Sequence, residues 1–190
     1  MASPRDAALR AAVGLTFAVV TACATAQTTP APRPQPELQQ IQELLQRGAY
    51  PEAQQRAENW LQKNPGDTRA RFLQGVALAA QNRIDEAIVV YRGLTDDHPE
   101  LPEPHNNLAT LYAARGQLDA AKVALEAALR AQPNFATAHE NLGDLYARYA
   151  AESWARAADL ERNRTSALTK LKAVNTLVPP AAPSAPETTR

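Results

Sequence analysis

An all-helical chain built from stacked helix-turn-helix units is the fold class this sequence predicts, on three observations. Pro65, Pro99 and Pro133 recur at a fixed step of 34 residues. Ala53, Ala87 and Ala121 keep the same step, as do Gly48, Asn82 and Gly116, and Tyr50, Ile84 and Leu118. Apolar residues make up 45% of the chain but aromatics only 5%, so the apolar content is mostly Ala and Leu, which favours helix over strand. A fixed period of this kind means supersecondary units that cannot bury their apolar faces alone and stack to do so.

The segment before the repeats reads as an address. Arg5 and Arg10 precede an apolar run from Ala11 to Val20, and the small residues Thr21-Ala22-Cys23-Ala24-Thr25-Ala26 follow. A basic start, a short apolar stretch and an A-x-A site predict a secretory signal peptide over 1–26. The run falls short of the ~20 residues that span a bilayer as a helix. Two cleavage patterns overlap. Ala24-Thr25-Ala26 before Gln27 suits release of a soluble chain. Val20-Thr21-Ala22-Cys23 resembles the lipobox of bacterial lipoproteins, with Val where Leu is commonest. Acylation of Cys23 there would hold the chain on a membrane, and Ala24 after it resembles the outer-membrane sorting pattern. Both readings stand at this point.

Residues 27–36 (QTTPAPRPQP) read as a semi-extended tether, because alternating prolines forbid helix and favour polyproline II. The C-terminal stretch 179–190 reads likewise as a disordered, solvated Pro-rich tail. Between them, 37–178 is the size of one domain. It divides into three regular units, 34–67, 68–101 and 102–135, and an atypical fourth unit with a capping helix, 136–178.

The third unit shows the pattern most fully. Leu108-Ala109 and Tyr112 share a face of its first helix, Gly116 supplies the turn, and Gln117-Leu118-Asp119-Ala120-Ala121 opens the second helix. Leu125, Ala128 and Leu129 continue the apolar stripe and Pro133 ends the unit. The second unit repeats this with Gly75, Leu78, Asn82-Arg83-Ile84-Asp85-Glu86-Ala87, Tyr91 and Pro99; the first keeps Gly48-Ala49-Tyr50-Pro51-Glu52-Ala53, Trp60 and Pro65. Asp67 and Asn134 stand where N-caps of the next helices are needed. The fourth unit opens in register with His139-Glu140-Asn141-Leu142-Gly143-Asp144-Leu145-Tyr146 and then carries no Gly, Pro or Asn before Arg162. That absence predicts one long helix from about Ala136 to Glu161; the competing arrangement is a tight bend near Ala150 with Trp154 as a core aromatic. Thr165–Leu177 then forms a last amphipathic helix, on Leu168, Leu171 and Val174.

These residues resemble the tetratricopeptide repeat family, whose unit is 34 residues with two antiparallel helices. The resemblance implies a right-handed superhelical stack closed by a capping helix, with the first helices of successive units lining a concave groove for a peptide or partner helix. Carried over residue by residue, it places Arg69, Phe72, Leu73 and Val76 in that groove from the second unit, Asn106, Asn107 and Thr110 from the third, and Asn141, Asp144 and Arg148 from the fourth. One end is then apolar and the other carries amides. Asn107 and Asn141 hold equivalent positions and resemble the asparagine ladder with which some arrays grip a peptide backbone, since an amide donates and accepts at once. The clamp by which chaperone-binding members hold a C-terminal carboxylate needs Lys and Asn where this chain has Phe72 with Val76 and Asn106 with Thr110, so that ligand is not implied.

Other chemistries find little support. No catalytic fingerprint of a serine hydrolase, zinc protease, P-loop or dinucleotide fold occurs, and no catalytic residue is assigned. One cysteine and three histidines offer no metal set, and no cofactor is implied. His105 and His139, at equivalent places, read as packing residues between repeats, and Asp96-Asp97 beside His98 as a charged turn. The 20 basic and 20 acidic side chains cancel, and the basic residues near the C-terminus (Arg148, Arg156, Arg162, Arg164, Lys170, Lys172) interleave with Glu152, Asp159 and Glu161. Nucleic acid is therefore not an expected partner, and a membrane is one only through Cys23. The expected function is a non-enzymatic adaptor or scaffold of the cell envelope, exported to the periplasm or anchored at the outer membrane, binding a protein or peptide. Its alternatives are an accessory or assembly factor of an outer-membrane, pilus or cell-wall enzyme complex, and a self-associating structural oligomer.

Overall fold

The computed structural model describes residues 36–161 and 164–179, so the signal peptide, Cys23, the tether before Pro36 and the segment from Pro180 onward lie outside the described residues. Eight helices and no strand occur among the described residues: α1 (Pro36–Gln46), α2 (Tyr50–Lys63), α3 (Thr68–Ala80), α4 (Ile84–Asp97), α5 (Pro102–Ala114), α6 (Leu118–Ala131), α7 (Ala136–Leu160) and α8 (Thr165–Leu177). None is both long and apolar enough to cross a membrane. The chain divides into two compact units at Asp97/His98, α1–α4 and α5–α8.

The first unit is a pair of helical hairpins and the second a hairpin followed by a long helix and α8; the repeat period is visible in the turns. Gly48, Asn82 and Gly116 all adopt left-handed backbone, with φ of 77°, 61° and 72°. Glycine and asparagine tolerate that conformation best, which is why the period shows them there. Helix entry is set as locally. The Asp67 carboxylate caps α3 by accepting from the Ala70 N–H at 2.9 Å, and its other oxygen accepts from the Trp60 indole N–H at 2.7 Å. The second expected cap is displaced. Phe135, not Asn134, is the N-cap of α7, and it makes no side-chain cap bond; its ring joins the core of the second unit instead.

Inside the hairpins, a large residue on one helix is matched by a small one on the other. The same two repeat positions hold Ile41 with Ala57, Gly75 with Tyr91, and Ala109 with Leu125, all buried. Gly75 shows how tight the match is: a Cβ there would stand 2.7 Å from the Tyr91 ring. Phe72 packs on the same ring with centroids 5.8 Å apart. The first core joins Leu38, Ile41 and Leu45 of α1 to Ala53, Ala57, Leu73 and Val76; the second joins Ala109, Leu125 and Ala128 to Phe135, Ala138 and Leu145.

The fourth unit is one helix of 25 residues, Ala136–Leu160, without a bend at Ala150. Two causes act together. Ala150 stands where the three earlier units have Gly48, Asn82 and Gly116, and alanine is the strongest helix former. A hairpin there would also bury charge. The buried positions of α6 (Leu118, Ala121, Ala124, Leu125, Ala128) correspond, one period on, to Glu152, Ala155, Ala158, Asp159 and Arg162. Continuing the helix leaves Glu152 and Asp159 in water. α8 then packs on α7 through Ala167, Leu171 and Val174, with Lys170 Nζ 5.9 Å from the centre of the Trp154 ring. Its exposed positions mix Thr165, Thr169, Lys172 and Thr176 with Leu168 and Leu177, so Leu168, expected on the apolar stripe, faces outward.

Candidate partner-binding faces

The residues singled out for binding fall on the first helices of the hairpins, but not all of them face outward. In the first unit, Leu73 and Val76 are 3% and 2% exposed and belong to the core that α3 shares with α1. Phe72 leans onto Tyr91 and the core edge. The seam between consecutive first helices is thus apolar here, and these three residues hold the unit together where groove positions were expected. Only Arg69 of that set is exposed, and it donates to the Gln42 side chain of α1 at 3.0 Å. Gln42 was not anticipated, although it lies one period before Val76 and two before Thr110.

The second unit builds the same seam from polar groups. Asn106 of α5 is 2% exposed, the buried polar residue among the described core, and its Oδ1 accepts from Asn141 Nδ2 of α7 at 2.8 Å. Thr110 turns its hydroxyl to the Asn106 carbonyl at 3.1 Å, and Arg148 Nη1 reaches the Ala113 carbonyl at 3.5 Å. The Asn141 and Arg148 bonds fix α5 against α7. They also correct the ladder expectation: Asn141 is engaged by Asn106 within the protein, so it does not stand as an open rung, and Asn106 is too buried to meet a partner. What remains at the surface is a line of half-buried Asn107, Thr110, Asn141 and Arg148 with exposed Asp144. Such a face presents amide, hydroxyl, carboxylate and guanidinium groups on rigid helices, suited to hydrogen-bonding a polypeptide.

The histidines act at the junctions between repeats, by hydrogen bonds. His105 Nε2 donates to the Pro99 carbonyl at 3.1 Å, and His139 Nε2 to the Pro133 carbonyl at 2.9 Å. A carbonyl can only accept, so each ring carries its proton on Nε2 and ties the start of its helix to the last residues of the preceding repeat. Asp97 likewise serves its own unit, pairing with Arg71 at 2.7 Å. Among the described residues no group of three or more His, Cys, Asp or Glu side chains is placed to hold a metal ion. The hydrogen bond from Tyr149 to the Asp119 carboxylate, 2.5 Å long, joins with desolvation to push the Tyr149 phenol up to about 12.

Two models described as tetratricopeptide repeat match this chain, over residues 38–102 and 78–149, and together they span most of the helical region. The chain belongs to the tetratricopeptide repeat family. Solved structures agree on the fold. A thermophilic tetratricopeptide protein of Thermus thermophilus is similar at 22% identity and TM-score 0.58, over 75% of this chain and 81% of that one. MamA of Desulfovibrio magneticus RS-1 is similar at 19% identity and TM-score 0.53, over 76% and 75% of the two chains. Naa15, in a structure with Naa10 bound to HypK-THB, is similar at 18% identity and TM-score 0.52 over 75% of this chain and 22% of that one. Identities this low carry the fold alone. Among curated proteins none matches. Tetratricopeptide repeats are protein–protein interaction modules, so a tetratricopeptide array with a polar first-helix face is a protein-binding domain.

Proposed function

We propose that this tetratricopeptide protein is an exported adaptor of the bacterial cell envelope that holds a polypeptide segment of a partner on the α5/α7 face of its second unit. The observation that carries the reading is the line of Asn107, Thr110, Asp144 and Arg148 on two helices whose mutual position is fixed by the buried Asn106–Asn141 bond. A site held by an internal hydrogen bond is preorganised, which lowers the ordering cost of binding. Export is supported by the basic, apolar and small-residue pattern of 1–26. A place in an assembly complex of the envelope is the same binding activity in a larger setting.

The test is crosslinked capture from intact envelopes, comparing wild type with Asn107→Ala/Asp144→Lys. Asp144 is exposed and Asn107 half-buried, so a thermal unfolding curve of the double variant establishes first that the fold is kept. A partner recovered with wild type and lost with the double variant is the expected result. Equal recovery would place binding on another face. The mass of the mature N-terminus separates an acylated Cys23 from cleavage after Ala26.

A further inference from the structure

On the α5/α7 face the hydrogen-bond donors are turned inward while acceptors are left over. Asn141 Nδ2 donates to Asn106 Oδ1, which leaves Asn141 Oδ1 on the other side of its amide. Thr110 gives its hydroxyl hydrogen to the Asn106 carbonyl and keeps lone pairs alone. Asp144 is exposed, and among the described residues its carboxylate has neither a hydrogen bond nor an ion pair. The cation that could neutralise it is directed elsewhere. Arg148 stands four residues on from Asp144, the spacing at which Asp and Arg pair along a helix, yet its Nη1 reaches across to the Ala113 carbonyl of α5 at 3.5 Å.

The bonds between the helices also fix where these acceptors stand. Asn106–Asn141 and Ala113–Arg148 pin α5 and α7 parallel, with seven residues from one pin to the next on each helix. Thr110 and Asp144 share a repeat position, lie between the pins, and are level to within one residue, or ~1.5 Å along the axis. Asn141 is one turn before Asp144 on the same side of α7. The surrounding charge has one sign: α5 contains Glu103 and no Lys or Arg, and α7 has Glu140 and Asp144 but no Lys or Arg before Arg148.

We infer that the stretch between the pins takes a Lys or Arg side chain of the partner's segment, held by the Asp144 carboxylate and by the lone pairs of Thr110 and Asn141. This builds on the binding proposed for the α5/α7 face and adds what the segment must bring there, a cation that carries several N–H donors. An acidic residue at the same point would meet Asp144 with like charge and receive no hydrogen from Thr110, so the face also discriminates against it.

An NMR titration of the isotope-labelled full chain tests this, with the blocked pentapeptide Gly-Gly-Lys-Gly-Gly as probe. Two comparison probes carry Nε-acetyl-lysine or glutamate at the centre. The expected result is saturable shifts of the Thr110, Asn141 and Asp144 signals with the lysine probe and none there with the other two. Asp144→Asn keeps the shape of the side chain and drops its charge; it should weaken the lysine probe about fivefold while the core signals of Ala138 and Leu145 show the fold intact. No shifts, equal shifts with all three probes, equal binding by Asp144→Asn, or shifts spread to unrelated exposed carboxylates such as Glu52 would each overturn the inference. If a photo-crosslinker at position 144 captures a partner but the lysine probe fails, the face binds and the cation alone is wrong. If neither occurs, the binding proposed for the face falls as well.

Discussion

The two units make the same joint, between consecutive first helices, from opposite materials. In the first, α1 and α3 meet through Leu38, Ile41, Leu73 and Val76, with the Arg69–Gln42 bond at the rim. In the second, α5 and α7 meet through the buried Asn106–Asn141 amide bond and the reach of Arg148 to the Ala113 carbonyl. An apolar seam gains from every methylene buried in it and is indifferent to direction. A seam of amides gains little net stability but leaves polar groups at fixed positions along its edge. The contrast separates a unit whose first-helix face serves mainly cohesion from one whose face keeps polar groups at fixed positions.

Exchanging the materials should show this, and the largest effect is expected in the apolar seam. Leu73→Asn puts the residue type of its repeat equivalent, Asn107, into a core that is 3% exposed at that position. The lost packing and the buried amide should cost about 3 kcal/mol, read as a drop in the thermal unfolding midpoint. Gly75→Ala should follow, at about 2 kcal/mol, because its Cβ would overlap the Tyr91 ring. Adding Tyr91→Leu recreates the Ala109/Leu125 pairing of the second unit and should recover much of that loss. If the double variant is no better than the sum of the singles, the size-matching of the two helices is not what holds the hairpin. In the polar seam, Asn141→Ala leaves the buried Asn106 Oδ1 without its donor and should cost about 1–2 kcal/mol. A neutral result in chemical denaturation would mean that water replaces the amide.

The smallest effect is electrostatic and lies between α6 and α7. Tyr149 is held up to about 12 by its bond to Asp119, against an ordinary phenol near 10. A raised folded-state value means that the bond stabilises the fold fully below the ordinary value and is lost as pH climbs through the raised one. Ultraviolet titrations of wild type and Asp119→Asn should differ by a single tyrosine, which ionises at lower pH in the variant.

The turns were legible because their chemistry is local. A left-handed residue is needed once per period, and Gly48, Asn82 and Gly116 announce it. The long helix could be read from what was missing after Asp144, but its deeper cause, the charge a hairpin would bury at Glu152, Asp159 and Arg162, appears only once α6 shows which positions are inside. The face was harder. Leu73, Asn107 and Asn141 share one repeat position, yet the first is core and the others are half-buried, because exposure depends on what the neighbouring first helix brings to the seam. Asn106 and Asn141 stand one residue outside the repeat period, as do Ala113 and Arg148, and that offset was the available sign that the two helices bond across it.

The central claim is that the α5/α7 face of the second unit holds the partner. A photo-crosslinking amino acid placed at Asp144, on that face, and separately at Val123, 62% exposed on α6, tests it most directly in cells that produce the protein. The account predicts a discrete adduct with a second protein from position 144 and none from 123. Adducts from 123 alone, or equally from both, would contradict it.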